Sequence, residues 1–363
     1  MAAVVVTGAS GHLGATLVRA LRARGQEVRA LVHHDRRALD GLDVEVARGD
    51  LADESSLRRA FAGADLVYHT AAYISILRDE QQRLYEVNVR GTRNVVEACL
   101  SSGVRRLVHV SSIEVLENEP LGVPVDESRP LVQSGIFARE NAARTMESAR
   151  RGNSSPYAHS KAAGERHVRQ GIARGLDVVI LYPTAIIGPY DYRQGFPNAG
   201  LLAICEGRLW ALVNGGFNWV DVRDVAEGAL RAGEQAPSGA SYILSGHWAS
   251  LHDLAELARE ITGAPVPRLV FPLWAARIGA PFVVAASRLS GRRPLYTSEA
   301  LRPLGGNVQI SHGRATRELG YMPRPLRQTV VDTLQWCECR GVPARQGLMP
   351  SAGDQVIDFL GGE

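Results

Sequence analysis

The sequence predicts an α/β fold, a doubly wound parallel sheet carrying a smaller C-terminal α/β domain. Three observations predict it. The chain opens on an apolar β-branched run, Val4-Val5-Val6, that meets Thr7 and three glycines spaced three apart, Gly8, Gly11 and Gly14. A helical pattern, ATLVRALRARG, follows at once, and strand-like and helix-like stretches then alternate as far as Ser112. At 363 residues, 45% hydrophobic and 22% charged, the chain is long enough for one large globular domain plus a smaller one.

Taken in order, residues 3–14 read as strand, phosphate loop and helix. Gly8 permits a tight turn, Gly11 lets the backbone approach a pyrophosphate, and Gly14 lets the helix pack on the strand, with the anion at the helix's positive end. A purely structural turn is the alternative, because glycine-rich turns follow many buried strands. The context favours a dinucleotide: a second strand over 27–33 follows at βαβ distance, and Asp50 closes a third. The second strand ends at His33, without the acidic side chain that takes a ribose 2′-hydroxyl, and continues His34-Asp35-Arg36-Arg37. This favours NADP(H), with Arg36 or Arg37 on the 2′-phosphate. Asp35 keeps NAD(H) open, and a solvated loop of charges is the competing reading.

The third strand, VEVARGDL, brings Asp50 and Leu51 toward an adenine. Helix SLRRAFAG leads to strand DLVYHTAA, whose small Ala71 and Ala72 leave room for a cofactor to cross the sheet edge. In YEVNVRGTRNVVEAC, apolar residues at helical spacing surround Asn88, which either ties strand ends together or touches substrate or cofactor. Strand RLVHVSS delivers Ser111 and Ser112 to the C-terminal edge, where open α/β sheets place their chemistry. Tyr157 and Lys161 then open an alanine-rich helix four residues apart, on one face. A phenol with a pKa of about 10 exchanges protons poorly at neutral pH, so a nearby cation such as Lys161 or an oxidised nicotinamide is needed to favour its anion. An isolated Y-x-x-x-K is a surface pair by default; behind a glycine loop and a strand-end serine pair it reads as catalytic.

Other classes fall away. A net charge of +3 with no long basic run gives no sign of nucleic-acid binding. No apolar run reaches membrane-spanning length, and with the first strand expected from residue 3 no signal peptide is expected. The most apolar region, 269–287, is broken by Pro272, Arg277 and Pro281 and is expected to be a buried or cleft-lining helix. Cys99, Cys205, Cys337 and Cys339 make poor zinc or disulfide arithmetic, and His167, His252 and His312 have no partners at metal spacing. A reduced, cytoplasmic protein without metal is expected.

Together these motifs resemble the extended short-chain dehydrogenase/reductases, of the NAD-dependent epimerase/dehydratase superfamily. The resemblance runs through TGASGHLG at 7–14, DL at 50–51, HTAA at 69–72, NVRGT at 88–92, VSSIEV at 110–115, YAHSK at 157–161 and YPTAIIGP at 182–189, and continues through FNWVDVRDVAEGAL at 217–230. It implies a Rossmann fold with Ser112 positioning the substrate oxygen, Ser111 in support, Tyr157 as general acid/base and Lys161 lowering its pKa and holding the nicotinamide ribose. It also implies cofactor contacts from Gly8, Ser10, Gly11, His12, Leu13, Gly14, His33, Arg36, Arg37, Asp50, Leu51, Thr70, Ala71, Ala72, Val110, Tyr157, Lys161, Pro183, Thr184 and Ile186. A small-molecule substrate is implied, and a homodimer formed through the helix after Asn88 and the Tyr157 helix.

Three departures bear on the substrate. Leu181-Tyr182-Pro183-Thr184 stands where sugar-nucleotide epimerases carry an Asn-containing run, and Asn218-Trp219 where they carry Arg, although Arg292 or Arg293 is available as a cation. The 44 residues between Ser112 and Tyr157 also exceed the interval expected of those enzymes. These features resemble the dihydroflavonol-reductase and hydroxysteroid-dehydrogenase branch, whose substrates are bulky carbonyls or alcohols. Ile136, Phe137, Trp210, Phe217, Trp219, Leu273, Trp274 and Phe282 are candidates to line such a pocket. Parts of the second half resemble hopanoid-associated sugar epimerases, which keeps epimerisation as the alternative. A non-catalytic NADP(H)-sensing regulator is disfavoured by retention of Ser112, Tyr157 and Lys161. The domains are expected at 1–184 with 219–247 for the cofactor and 185–218 with 248–340 for the substrate, followed by a tail over 341–363.

Overall fold

The computed structural model describes residues 3–76, 80–133, 137, 154–290 and 297–339. Its strands are β1 (Ala3–Thr7), β2 (Val28–Val32), β3 (Glu45–Arg48), β4 (Ala64–His69), β5 (Arg106–Val110), β6 (Asp177–Pro183), β7 (Ala185–Ile187), β8 (Ala211–Val213), β9 (Gly216–Asp221), β10 (Ser241–Leu244), β11 (His247–Ser250) and β12 (Leu269–Phe271). Seven of them form one parallel sheet in the order β10-β6-β5-β4-β1-β2-β3. Central strands such as β5 are buried along their whole length, as expected where helices cover both faces. This is the doubly wound Rossmann-like sheet that the sequence predicts. Strand order runs outward in opposite directions from β1 and β4, so the crevice between their C-terminal ends is the topological switch point.

The sheet divides two cores. On one side helices His12–Ala23 and Val222–Gln235 bury Leu17, Val18, Val225 and Ala229. On the other, helices Glu54–Phe61, Thr92–Ser101 and Pro156–Ala173 bury Leu57, Phe61, Val95, Ala162 and Val168. A π-helical turn, Tyr85–Gly91, precedes Thr92–Ser101 and lies against the Tyr157 helix. Contact there is so close that a Cβ on Gly164 would stand 2.1 Å from the Asn88 carbonyl oxygen.

A second unit is assembled around a three-stranded sheet, β11-β9-β7, and a two-stranded one, β12-β8. Its core includes Leu201, Leu212, Trp219, Leu254, Leu301 and Leu334. Strand β9 belongs to this sheet, parallel to β7 and antiparallel to β11, whereas β10 joins the central sheet. Asn218 fixes that arrangement, its side-chain oxygen accepting from the Gly246 N–H at 2.7 Å and from the Thr184 hydroxyl at 3.1 Å. Of the buried or cleft-lining helix expected over 269–287, the structure forms a helix from Leu273 with one side buried. Helix Leu273–Ser290 sets Leu273, Ala276 and Ala280 against the second core, and the described residues place nothing over its opposite side.

Gly164→Ala is expected to lower stability by about 1–3 kcal/mol, because the added methyl forces two packed helices apart. Urea unfolding measures it; an unchanged midpoint would show that the helices yield freely.

Candidate active site

At the switch point the backbone forms a cradle that only glycine permits. Gly8 has a positive φ of 68°, and a Cβ there would lie 2.7 Å from the Ala71 backbone; one on Gly14 would lie 2.2 Å from the Gly8 carbonyl oxygen. Gly11 is the N-cap of helix His12–Ala23, with no side-chain cap and no acidic residue in the first turn. The open N–H groups and dipole end therefore face outward, which fits a dinucleotide diphosphate. Leu13 is buried beneath, and the Thr70 hydroxyl donates to the Thr7 carbonyl at 2.7 Å, pinning β4 to β1. Ala71 is occupied in packing on Gly8 rather than only leaving space.

The catalytic candidates converge from β5 and the Tyr157 helix. Ser155 caps that helix, accepting from the Ala158 N–H at 3.0 Å, and Pro156 pre-sets its first turn. Ser112 caps the short turn Ile113–Val115 and hydrogen-bonds the Tyr157 phenol. The phenol is pushed above its ordinary value, first by burial and then by the neighbouring Glu114 carboxyl, while Ser112 pulls it down. The expected lowering by Lys161 is not what the arrangement shows. Lys161 is buried and donates to the Val110 carbonyl at 2.9 Å, and burial pushes its ammonium down to about 8, with Glu165 opposing. Val110 thus enters the site through its backbone.

Asn88 takes the tying role of its two alternatives: its side chain binds both backbone groups of Tyr73, at 2.8 and 2.9 Å, and the Ser160 hydroxyl at 2.9 Å. Ser111 donates to Glu165 at 2.7 Å, as does the Tyr182 hydroxyl at 2.8 Å, and Arg169 pairs with the same carboxylate. Two carboxyls here went unread in the sequence. Glu165 stands one turn beyond Lys161, a spacing that offered a signal; Glu114 offered none, since only the fold buries it beside Tyr157.

The adenosine end is more crowded with charge than the sequence suggested. Arg37 is held by Asp35 in two bonds, at 3.0 and 2.9 Å, which keeps that carboxyl down at about 2. Arg36 is exposed and pairs with no acid among the described residues. His33 lies 3.3 Å from Asp50 and beside the His34 ring. Leu51 packs against Gly91, with its carbonyl accepting from Asn94 at 2.8 Å. The loop after Pro189 also reaches this region: His12 bonds the Pro189 carbonyl at 2.9 Å, and Arg193 donates to Ser10 at 3.0 Å and lies 3.6 Å from Asp35. Asp191 holds the loop by accepting from the Gly195 N–H and the Asn198 side chain. Arg193 is 183 residues from Ser10, so sequence spacing carried no signal of it.

Pro183 ends β6, and Thr184 and β7 lead from it to an apolar cavity lined by Ala185, Phe196, Phe217, Trp219, Leu251 and Leu304. Ile186 packs instead on the first core. Phe137 stacks on Tyr85 at 6.1 Å and shares a cluster with Tyr157. Of the other candidates, Leu273 packs on the second core, whereas Trp210, Trp274 and Phe282 lie on the outer surface, because their elements bury the opposite side. Ile136, Arg292, Arg293 and the tail over 341–363 lie outside the described residues. Among the described residues no group of acidic, histidine or cysteine side chains has the make-up of a metal site.

Comparison with known proteins adds four findings. Residues 4–244 match the NAD dependent epimerase/dehydratase family. Sterol demethylase protein B of Methylococcus capsulatus is 36% identical over 345 residues, covering 93% of this chain and 99% of that protein. A putative dihydroflavonol 4-reductase of Synechocystis is 30% identical over 342 residues, covering 93% and 94%. Among solved structures, gox2253 superposes with a TM-score of 0.78 at 31% identity, covering 94% of this chain and 99% of that one.

The Lys161 shift gives a pH dependence with a definite sign. Its folded value of about 8 lies below the ordinary lysine value of 10.5, so the folded protein carries a penalty for the ammonium that is full below pH 8 and vanishes as pH rises toward 10.5. The stability of the native protein relative to Lys161→Met is therefore expected to rise across that window in urea unfolding, and a flat difference would contradict the burial. Glu165→Ala is expected to cost about 3–5 kcal/mol by stranding Arg169, Ser111 and Tyr182; a loss below about 1 kcal/mol would show those groups find other partners.

Proposed function

The chain belongs to the NAD-dependent epimerase/dehydratase family of extended short-chain dehydrogenase/reductases and is an NAD(P)-dependent enzyme; we propose that it moves hydride between the nicotinamide and a bulky, largely apolar ketone, aldehyde or secondary alcohol. The apolar cavity beyond Thr184 carries this reading. Its described wall is Ala185, Phe196, Phe217, Trp219, Leu251 and Leu304, with no cation to meet a sugar-nucleotide diphosphate. The names of the two relatives, a sterol demethylase protein and a putative dihydroflavonol reductase, lie on the same side of the choice.

With the cofactor's diphosphate in the glycine cradle, its nicotinamide would supply the hydride acceptor or donor and, when oxidised, a positive charge. The residues do the rest. Tyr157 gives or takes the proton at the substrate oxygen, and Ser112 donates a hydrogen bond to that oxygen as charge develops on it. Lys161, tethered to the Val110 carbonyl, holds the nicotinamide ribose. Tyr157 must be protonated to reduce a carbonyl, and burial with Glu114 nearby favours that form. NADP(H) is the preferred cofactor in this reading, with Arg36 the free cation for the 2′-phosphate and Arg37 committed to Asp35. A cytoplasmic homodimer completes it.

Cofactor turnover with NADPH or NADH against apolar carbonyls and sugar nucleotides tests the reading. Stoichiometric NADPH consumption with an apolar carbonyl is expected; conversion of a sugar nucleotide without net cofactor change would make the enzyme an epimerase. Tyr157→Phe is expected to lower turnover by about 1,000-fold or more while cofactor affinity holds. Arg36→Ala is expected to raise the KM for NADPH about tenfold and leave NADH little changed, with a smaller effect from Arg37→Ala; equal losses for both cofactors would misplace the phosphate.

A further inference from the structure

The proposed reaction leaves unused an apolar face on the outside of the second unit. Trp210 is 74% exposed, Trp274 67% and Phe282 75%. Side chains of this size stand out only where something else covers them. They adjoin one another. Trp210 meets Phe271 edge-on, ring centroids 5.8 Å apart, and Pro272 connects Phe271 to the helix bearing Trp274, Ile278 and Phe282. The spacing of four residues sets those three along one side of the helix, opposite Leu273, Ala276 and Ala280, which face the core. Leu269 and Val270 extend the exposed surface along β12.

The described charges that flank this face are basic. Residues 263–284 contain Arg268 and Arg277 and no aspartate, glutamate or lysine. Among the described residues, exposed Arg268 and Arg277 flank the aromatic side chains with no acidic partner, while the nearby Arg208 is neutralised by Glu206. Tryptophan and phenylalanine rimmed by arginine suit the boundary of an anionic bilayer, where rings enter the acyl edge and guanidinium groups meet phosphates. A second copy of the chain fits less well, because a twofold contact would set Arg268 and Arg277 against a surface with no carboxylate in the same stretch. Arg277 breaks the apolar run of the helix, and no described helix is long and apolar enough to cross a membrane, so the face would rest on a bilayer rather than span it.

We propose that this face docks the enzyme on an anionic lipid surface. It also shares walls with the apolar cavity: Leu209, which lines the cavity, adjoins Trp210, and Leu304 adjoins Gly305, where a Cβ would lie 2.9 Å from Leu273. If the reading of an apolar substrate holds, on which this one clause rests, that substrate reaches the cavity from the lipid side.

Co-sedimentation of the intact protein with phosphatidylcholine vesicles, with and without about 30 mol% phosphatidylglycerol, tests the docking. Binding is expected to the anionic vesicles alone and to fall steeply between about 50 and 500 mM salt. Trp274→Glu with Phe282→Glu, and separately Arg268→Glu with Arg277→Glu, are each expected to weaken binding about tenfold or more while the melting curve stays unchanged, since all four side chains are exposed. Absence of binding to anionic vesicles, or binding by both double variants as strong as that of the unaltered protein, would overturn the proposal. So would a dimer, seen without lipid, that Trp274→Glu with Phe282→Glu dissolves, since that assigns the face to a second copy. No turnover enters these readouts, so failure of the carbonyl reading and failure of docking are told apart.

Discussion

The buried Glu165 carboxylate is the fixture on which the active site is built. It accepts from Ser111 at the end of β5 and from Tyr182 in β6, pairs with Arg169 on its own helix, and supports the charge of Lys161 one turn away. Those bonds clamp the Tyr157 helix to the sheet edge at one rotation and one height. On the helix's other flank, Gly164 lets the Asn88 backbone approach, and Asn88 in turn braces Ser160 and Tyr73. Ser112 and Tyr157 come from different elements, and they meet because both are fastened to the same frame.

That frame is electrostatically unfavourable to the very groups it positions. Burial resists the phenolate of Tyr157 and the ammonium of Lys161, and it keeps His69 and His109, paired beneath them at 5.4 Å, neutral. Charge in such a place is worth far more than in water, so a cation delivered with the cofactor acts on the phenol at full strength. In the proposed mechanism the cofactor's own charge, with Ser112, brings the tyrosine into a working range.

The candidate site was legible in the sequence because its residues sit at strand ends and in short-range spacings. Gly8, Gly11 and Gly14, the β5 serines, and Tyr157 with Lys161 obey local geometry that the fold then preserves. What was not legible depends on long-range closure. Arg193 reaches Ser10 from the far half of the chain, and Glu114 acquires its meaning only from burial. Arg37 looked available until Asp35, two residues away, took its guanidinium. The apolar stretch over 269–287 read as buried or cleft-lining because composition reports how apolar a helix is and not which side the rest of the protein covers.

The central claim is that Tyr157 is a buried phenol whose ionisation the bound, oxidised cofactor makes accessible. Ultraviolet difference titration of the protein, with Tyr157→Phe subtracted, measures it directly. The account predicts that the Tyr157 phenolate appears only at strongly alkaline pH in the free protein and about 2 pH units or more lower once oxidised cofactor is bound. A phenol that titrates at the same pH with and without the cofactor would contradict it.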